Sequence, residues 1–170
     1  RPHVVEHASG LRACVGRIFD ARGGVGHAVS VRDAYCGKSM STVFTMIING
    51  DIPGTFVYRD DLCVAFMSIN PITAGHTLVV PIEEVDHWID LSPELSAHLF
   101  EVSHRIAKAQ ERAYGCERVG MIIAGYDVPH THIHVLPTND MADLSFANAS
   151  AHVERGDLEL AAGRIAAELQ

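Results

Sequence analysis

Apolar positions along the chain fall into short alternating runs parted by turn residues, together with two longer stretches of helical period. Val43, Phe44, Met46, Ile47 and Ile48 suggest a short helix or a buried turn over 42–49, closed by Gly50 and Pro53. Phe56-Val57-Tyr58 and Leu62-Cys63-Val64-Ala65-Phe66 read as two strands of a hairpin around Asp60-Asp61. After a break at Asn70-Pro71, residues Gly75 to Pro81 read as a third strand with His76 at its start. The clearest helix runs over about 93–114, because Leu95, Leu99, Val102, Ile106, Ala109 and Ala113 recur at spacings of four and three. Ser92 suits its N-cap, Pro93 and Glu94 its first turn, and Gly115 its stop. His98 and His104 lie off that stripe and are expected on a solvated surface. Val119 to Ala124 forms a further strand, and Gly125-Tyr126-Asp127 leads from it into a strand over Val128–Pro137, so that the two pair antiparallel. Residues 139–150 are expected to be irregular, with Leu144 and Phe146 able to dock, before a C-terminal helix marked by Leu158, Ala161, Ile165 and Leu169.

The strand over Val128–Pro137 carries the candidate chemistry. Successive side chains of an extended chain point to opposite faces, so His130, His132 and His134 share one face and Thr131, Ile133 and Val135 the other. Strand geometry spaces the three imidazoles roughly 6.5–7 Å apart at the backbone. Histidines on a strand can be satisfied polar residues, but three titratable rings crowded in strict alternation are costly to bury without a use.

Composition narrows the field. Hydrophobic residues at 48% and charged residues at 20% suit an ordinary globular domain, expected over residues 40–170. No apolar run approaches the roughly 20 residues of a membrane helix, and a cytoplasmic protein without a membrane partner is expected. Four cysteines, Cys14, Cys36, Cys63 and Cys116, lack the close spacing of a zinc knuckle or a redox dithiol. A net charge of −8 argues against nucleic-acid polymers as partners, while leaving room for a small anion held by histidines and backbone N–H groups. Residues 1–39 differ from the rest: six Lys/Arg against three acids, six of the 14 glycines and no sustained period mark an appendage outside the fold. The Gly23-Gly24-Val25-Gly26 run has no Lys-Ser/Thr after it, so a phosphate loop is not supported. Met40 opens the patterned part, and translation starting there is the expectation.

The histidine strand, His130-Thr131-His132-Ile133-His134-Val135-Leu136, resembles the signature of the histidine-triad (HIT) family. Phe66-Met67-Ser68-Ile69-Asn70-Pro71 followed by Gly75-His76-Thr77-Leu78-Val79-Val80-Pro81 is similar to that family's nucleotide-pocket strands, so the resemblance covers about 42–137. It implies an α+β fold with an antiparallel sheet of about five strands and one long helix, and a homodimer. It implies hydrolysis or transfer of a nucleoside monophosphate from an adduct, such as a phosphoramidate, with no cofactor. By resemblance His132 is the nucleophile, with His130, His134 and His76 as donors to the phosphoryl oxygens, and Ser68, Ile69, Asn70, Tyr126 and Asp127 line the nucleotide site. Neutral imidazole has a lone pair able to attack phosphorus near pH 7.

Two other readings stand beside this one. One is a nucleotide-binding interaction protein with little catalysis; the other is metal binding by alternating histidines. Zinc-bearing relatives carry a Cys-x-x-Cys near the first helix, but the matching positions here are Thr42 and Thr45, so that zinc site is expected to be absent. Three departures from the family pattern bear on the substrate. Ser68 replaces an aspartate that holds ribose, which removes the charge-assisted part of that contact. The loop before the triad is compressed to Ala124-Gly125-Tyr126-Asp127, where Asp127 can repel phosphate or accept a proton. Glu83-Glu84-Val85-Asp86-His87-Trp88 offers no Lys or Arg after Pro81, which favours a short adduct over a polyphosphate. His87 and Trp88 are candidates for pocket rim, core or dimer packing.

Overall fold

The computed structural model describes residues 41–169; the 1–39 appendage and the start at Met40 lie outside them. Helix α1 (Val43–Asn49) is capped by Thr42, whose hydroxyl accepts the Thr45 N–H at 3.1 Å, and is closed by Gly50. Strands β1 (Phe56–Arg59) and β2 (Cys63–Met67) form the expected hairpin, irregular in register between Phe56 and Tyr58. Strand β3 (Thr77–Pro81) follows, and α2 (Pro93–Tyr114) begins at Ser92, which accepts the Leu95 N–H, and stops at Gly115 with φ 62°. Strands β4 (Arg118–Ile122) and β5 (Ile133–Thr138) precede α3 (Arg155–Glu168). The polar 139–150 stretch holds two short 3₁₀ turns, Met141–Leu144 and Phe146–Asn148.

The five strands make one antiparallel sheet in the order β1-β2-β3-β5-β4, which gives the expected α+β fold. Period-two alternation divides it into two faces. Cys63, Ala65, Val79, Ile133 and Val135 face the stripe of α2, Leu95, Leu99, Val102 and Ile106, and form the main core. Each fully buried aliphatic side chain there contributes about 1.5–3 kcal/mol relative to exposure. Val64, Phe66, Leu78 and Val80 face the other way, against Phe44 and Ile48 of α1. Across the strands His134 pairs with Leu78 on one side and Ile122 on the other, so its ring stands on the α1 face.

The structure revises several expectations. Only His134 of the three histidines lies inside a strand. The β3–β5 ladder ends at Val79↔Ile133, and the backbone before it is held by other bonds. A three-residue turn across Pro129 joins the His130 N–H to the Val128 carbonyl at 2.8 Å, and the Thr131 N–H donates to the Val85 carbonyl at 2.7 Å. The β4–β5 connection therefore spans 123–132 rather than a tight turn. Pro137 sits within β5, beyond the last β3 partner at Val135, where one neighbour is already missing. In α3 the third turn buries Ala162 rather than Ala161.

His98 is not simply solvated: its Nε2 lies 2.7 Å from an Asp60 carboxylate oxygen, joining the β1–β2 turn to α2. At the other end of α2, Gln110 is fully buried and its amide nitrogen donates to the Gly75 and Val135 carbonyls, both at 2.9 Å. Gly75 has φ 91°, and a Cβ there would lie 2.6 Å from the Tyr114 ring, so no other residue fits this link into β3.

Candidate active site

His76, His132 and His134 converge on the α1 face of the sheet, where they line a cavity of about 920 Å³. The apolar wall comes from Phe44, Ile47, Phe66 and Leu78, which puts a dry surface beside the imidazoles. Ser68, Ile69, Asn70 and Asp127 line the same cavity. Tyr126 does not: it is 95% exposed and borders a smaller cavity with Asp86, His87 and Trp88, which also touches His132.

Hydrogen bonds fix the proton on each ring. The Ile72 N–H donates to His76 Nδ1 at 3.1 Å, so the His76 proton must sit on Nε2. That nitrogen lies 2.9 Å from His134 Nδ1 and donates to it, which leaves the His134 proton on Nε2. On His132, Nδ1 lies 2.7 Å from the His130 carbonyl oxygen and must donate, so Nε2 keeps its lone pair. Neither His132 Nε2 nor His134 Nε2 has a protein partner among the described residues. The two rings are 4.9 Å apart between centroids, and the site therefore presents a lone pair beside an N–H.

Burial keeps the His76 and His134 rings neutral. His134 is pushed down to about 3 by burial, then by the charge His132 would carry, then by His76. His76 is pushed down to about 4 by burial and by His132. Burial also lowers His130, against the opposing pull of the Pro81 carbonyl.

His130 does not reach the cavity. Its Nε2 lies 2.9 Å from the Pro81 carbonyl oxygen and its Nδ1 2.9 Å from the Thr42 hydroxyl, so both ring nitrogens are engaged. Phe44 packs edge-on against His130 and His132 at centroid distances of 6.0 and 5.0 Å. The three rings thus divide into two that face the cavity and one that is built into the wall.

Other contacts complete the rim. The Asn70 amide nitrogen donates to the Ser150 carbonyl at 2.9 Å, drawing the 146–151 stretch over the site. Phe146 then lies edge-on to His134 at 5.1 Å. A cation enters the lining from outside the 82–88 segment: Arg155, at the start of α3, with its Nε bonded to Glu159 at 2.9 Å. Gln110 and the Ile72 N–H were not singled out by the sequence pattern. Gln110 had a signal, since it follows Ile106 by four on the buried stripe; the Ile72 N–H, a backbone group, had none.

The residues at the positions of a family zinc site do not fit the metal. Thr42 and Thr45 offer neutral hydroxyls in place of thiolates, and these are already bonded to His130 and to Glu84. Elsewhere, Asp60, Cys63 and His98 are the one group of metal-ligand type close together among the described residues. Asp60 there already accepts from Tyr58, Leu62, Cys63 and His98, and burial with Asp60 alongside pushes the Cys63 thiol up to about 12, so this is a structural cluster.

Comparison with known proteins agrees with this geometry. The HIT domain family model matches residues 49–141. An uncharacterized HIT-like protein of Borreliella burgdorferi is 37% identical over 102 residues, which cover 56% of this chain and 73% of that one. Adenylylsulfatase HINT3 of Arabidopsis thaliana is 29% identical over 103 residues, covering 58% of this chain and 52% of that one. A crystal structure of a zinc-bound histidine triad family protein from Mycobacterium smegmatis superposes with a TM-score of 0.66 at 30% identity, covering 76% of this chain and 94% of that one. The chain belongs to the HIT family, whose members are in general nucleotide hydrolases and transferases.

Proposed function

We propose that this protein hydrolyses or transfers the nucleoside monophosphate of a small adduct, a phosphoramidate or related compound, through a covalent intermediate on His132. The observation that carries the reading is the 2.7 Å bond from His132 Nδ1 to the His130 carbonyl, which turns the Nε2 lone pair outward at the cavity. Attack by that lone pair on the α-phosphorus forms a phosphorus–nitrogen bond and breaks the bond to the leaving group. A departing amine takes up a proton from water. A second water then attacks phosphorus, loses its proton, and returns His132 as the neutral ring. Throughout, the His134 Nε2–H donates to a phosphoryl oxygen, an acceptor whose charge grows in the transition state. The low pKa of His134 means this donor is a neutral N–H, so it adds no competing nucleophile of its own: its Nδ1 lone pair is occupied by His76.

Two features support a short adduct. The 82–88 segment has no Lys or Arg, and the one such residue in the lining, Arg155, is paired with Glu159. The name of the Arabidopsis relative points to a neighbouring chemistry, an adenylyl group on sulfate, which is also a short adduct. The second reading, a nucleotide-binding protein with little catalysis, draws on Asp127 at the cavity, an acid facing an anionic substrate.

Incubation with adenosine 5′-phosphoramidate and adenylyl sulfate separates the two. The wild-type protein is expected to release adenosine monophosphate and to carry a transient nucleotidyl mass on the peptide containing His132, both lost in His132→Ala. Equal, slow release by the wild type and His132→Ala, with no nucleotidylated peptide, overturns the enzymatic reading.

A further inference from the structure

His130 is fully buried, and its two ring nitrogens meet oxygen atoms from two separate segments, Thr42 and Pro81. The Pro81 carbonyl can only accept, so His130 carries its proton on Nε2 and offers a lone pair at Nδ1. The Thr42 hydroxyl, 2.9 Å away, must then donate to Nδ1. Its oxygen meanwhile accepts the Thr45 N–H at 3.1 Å. The Thr45 hydroxyl donates to the Glu84 carboxylate, which also accepts the Thr42 N–H at 3.2 Å. Each proton in the series has one acceptor, and all donations are mutually consistent. The Thr45 hydroxyl and the Thr42 N–H hold the Glu84 carboxyl below its ordinary value, in keeping with an ionised terminus to the series.

We propose that Glu84, Thr45 and Thr42 form a metal-free positioning chain that fixes the His130 ring and, through the His130 carbonyl, the tautomer and aim of His132. The inference rests on His132 being the nucleophile. The chain occupies the two positions, 42 and 45, at which zinc-bearing relatives carry cysteines, and it supplies the same kind of rigid anchor with hydroxyls and one carboxylate. None of its three residues touches the cavity's imidazoles that face substrate, so their influence runs through His130: ring held at two nitrogens, carbonyl held against the His132 Nδ1–H. A shift in that carbonyl would release the His132 ring from the one bond that fixes which nitrogen bears the lone pair.

The test compares the full chain with Thr42→Val, Thr42→Ser, Thr45→Ala and Glu84→Ala, using adenosine 5′-phosphoramidate as substrate. Thr42→Val is expected to lower kcat about tenfold or more while KM changes less than about twofold, since the loss is of alignment and not of nucleotide contact. Thr42→Ser restores the rate. Thr45→Ala and Glu84→Ala leave the Thr42 side chain in place and lower kcat by smaller factors. Metal analysis of the wild type gives zinc far below one equivalent, and chelators leave its rate unchanged. An unchanged kcat in Thr42→Val, or stoichiometric zinc whose removal lowers kcat, overturns the proposal. Nitrogen-15 NMR of the imidazoles reads the chain without substrate: the His130 Nδ1 resonance moves in Thr42→Val and returns in Thr42→Ser. If Thr42→Val does not fold, the same resonance in Thr45→Ala decides. A wild type inactive on every adduct sinks the hydrolase reading, while an unmoved His130 resonance sinks the chain.

Discussion

His76 Nε2 stands 2.9 Å from His134 Nδ1, while the other nitrogen of His76 is taken by the Ile72 N–H. A backbone amide, which cannot change its protonation, thereby sets the tautomer of two successive rings. Replacing His76 by Ala removes the donor that keeps the His134 proton on the cavity side. We expect kcat/KM for a nucleotide adduct to fall about ten- to hundredfold, toward the loss seen when one oxyanion donor is removed. Steady-state kinetics check the rate, and nitrogen-15 NMR checks that His134 then samples both tautomers.

Acid should unfold the protein through the same pair. His76 and His134 have folded-state values of about 4 and about 3, below the ordinary 6.5, so between those limits the unfolded chain binds protons that the folded chain does not. Stability is therefore full above about pH 6.5 and declines as pH falls toward 3–4, by on the order of a few kcal/mol. Urea titrations at pH 7, 5.5 and 4.5 should show the midpoint falling at each step, and His76→Gln should flatten that dependence.

Gln110 ties α2 to the two strands that carry the site. Substituting Leu keeps bulk but leaves the Gly75 and Val135 carbonyls without their amide donor in a buried place. The expected cost is about 1–2 kcal/mol, from the loss of two buried hydrogen bonds, since the Gly75 carbonyl keeps the Thr77 hydroxyl as a donor at 2.9 Å. Chemical denaturation of Gln110→Leu measures it, and a change within about 0.5 kcal/mol would contradict the role.

Asp127 gives a charge test. A unit charge about 5 Å from a phosphate in water opposes binding by about 0.8 kcal/mol, or roughly fourfold. Asp127→Asn should lower KM by about that factor at low salt, with the gain shrinking as ionic strength rises. A fall in kcat without a fall in KM would instead make Asp127 a proton acceptor.

Much of this was legible from residue order, for physical reasons that can be named. The ends of α2 follow from Ser92, Pro93 and Gly115, since capping is a local matter. The sheet follows from alternation, and the partnership of His76 with the triad from two motifs occurring together. The shared face of the three histidines was only half right. Alternation assumes an unbroken strand, but the turn across Pro129 and the bond from Thr131 to Val85 take His130 out of the ladder. That bond joins residues far apart in sequence, and no local pattern encodes it. Tyr126 and Asp127, adjacent in the chain, part company for a similar reason: the path of the 123–132 connection puts one at the cavity and the other in solvent.

The position of β5 in the sheet has a consequence in time. It lies between β3 and β4, whereas β1 and β4 form the two edges. Fraying that begins at either edge must remove a neighbouring strand before it reaches the amides around His134. Hydrogen exchange should therefore find those amides among the slowest of the domain, slower than those of β1 and β4. The backbone of His132, just outside the ladder, should exchange sooner than that of its neighbour two residues on. The site would then pair a lasting scaffold at His134 with a more quickly renewed segment at His132, and the two could be timed separately.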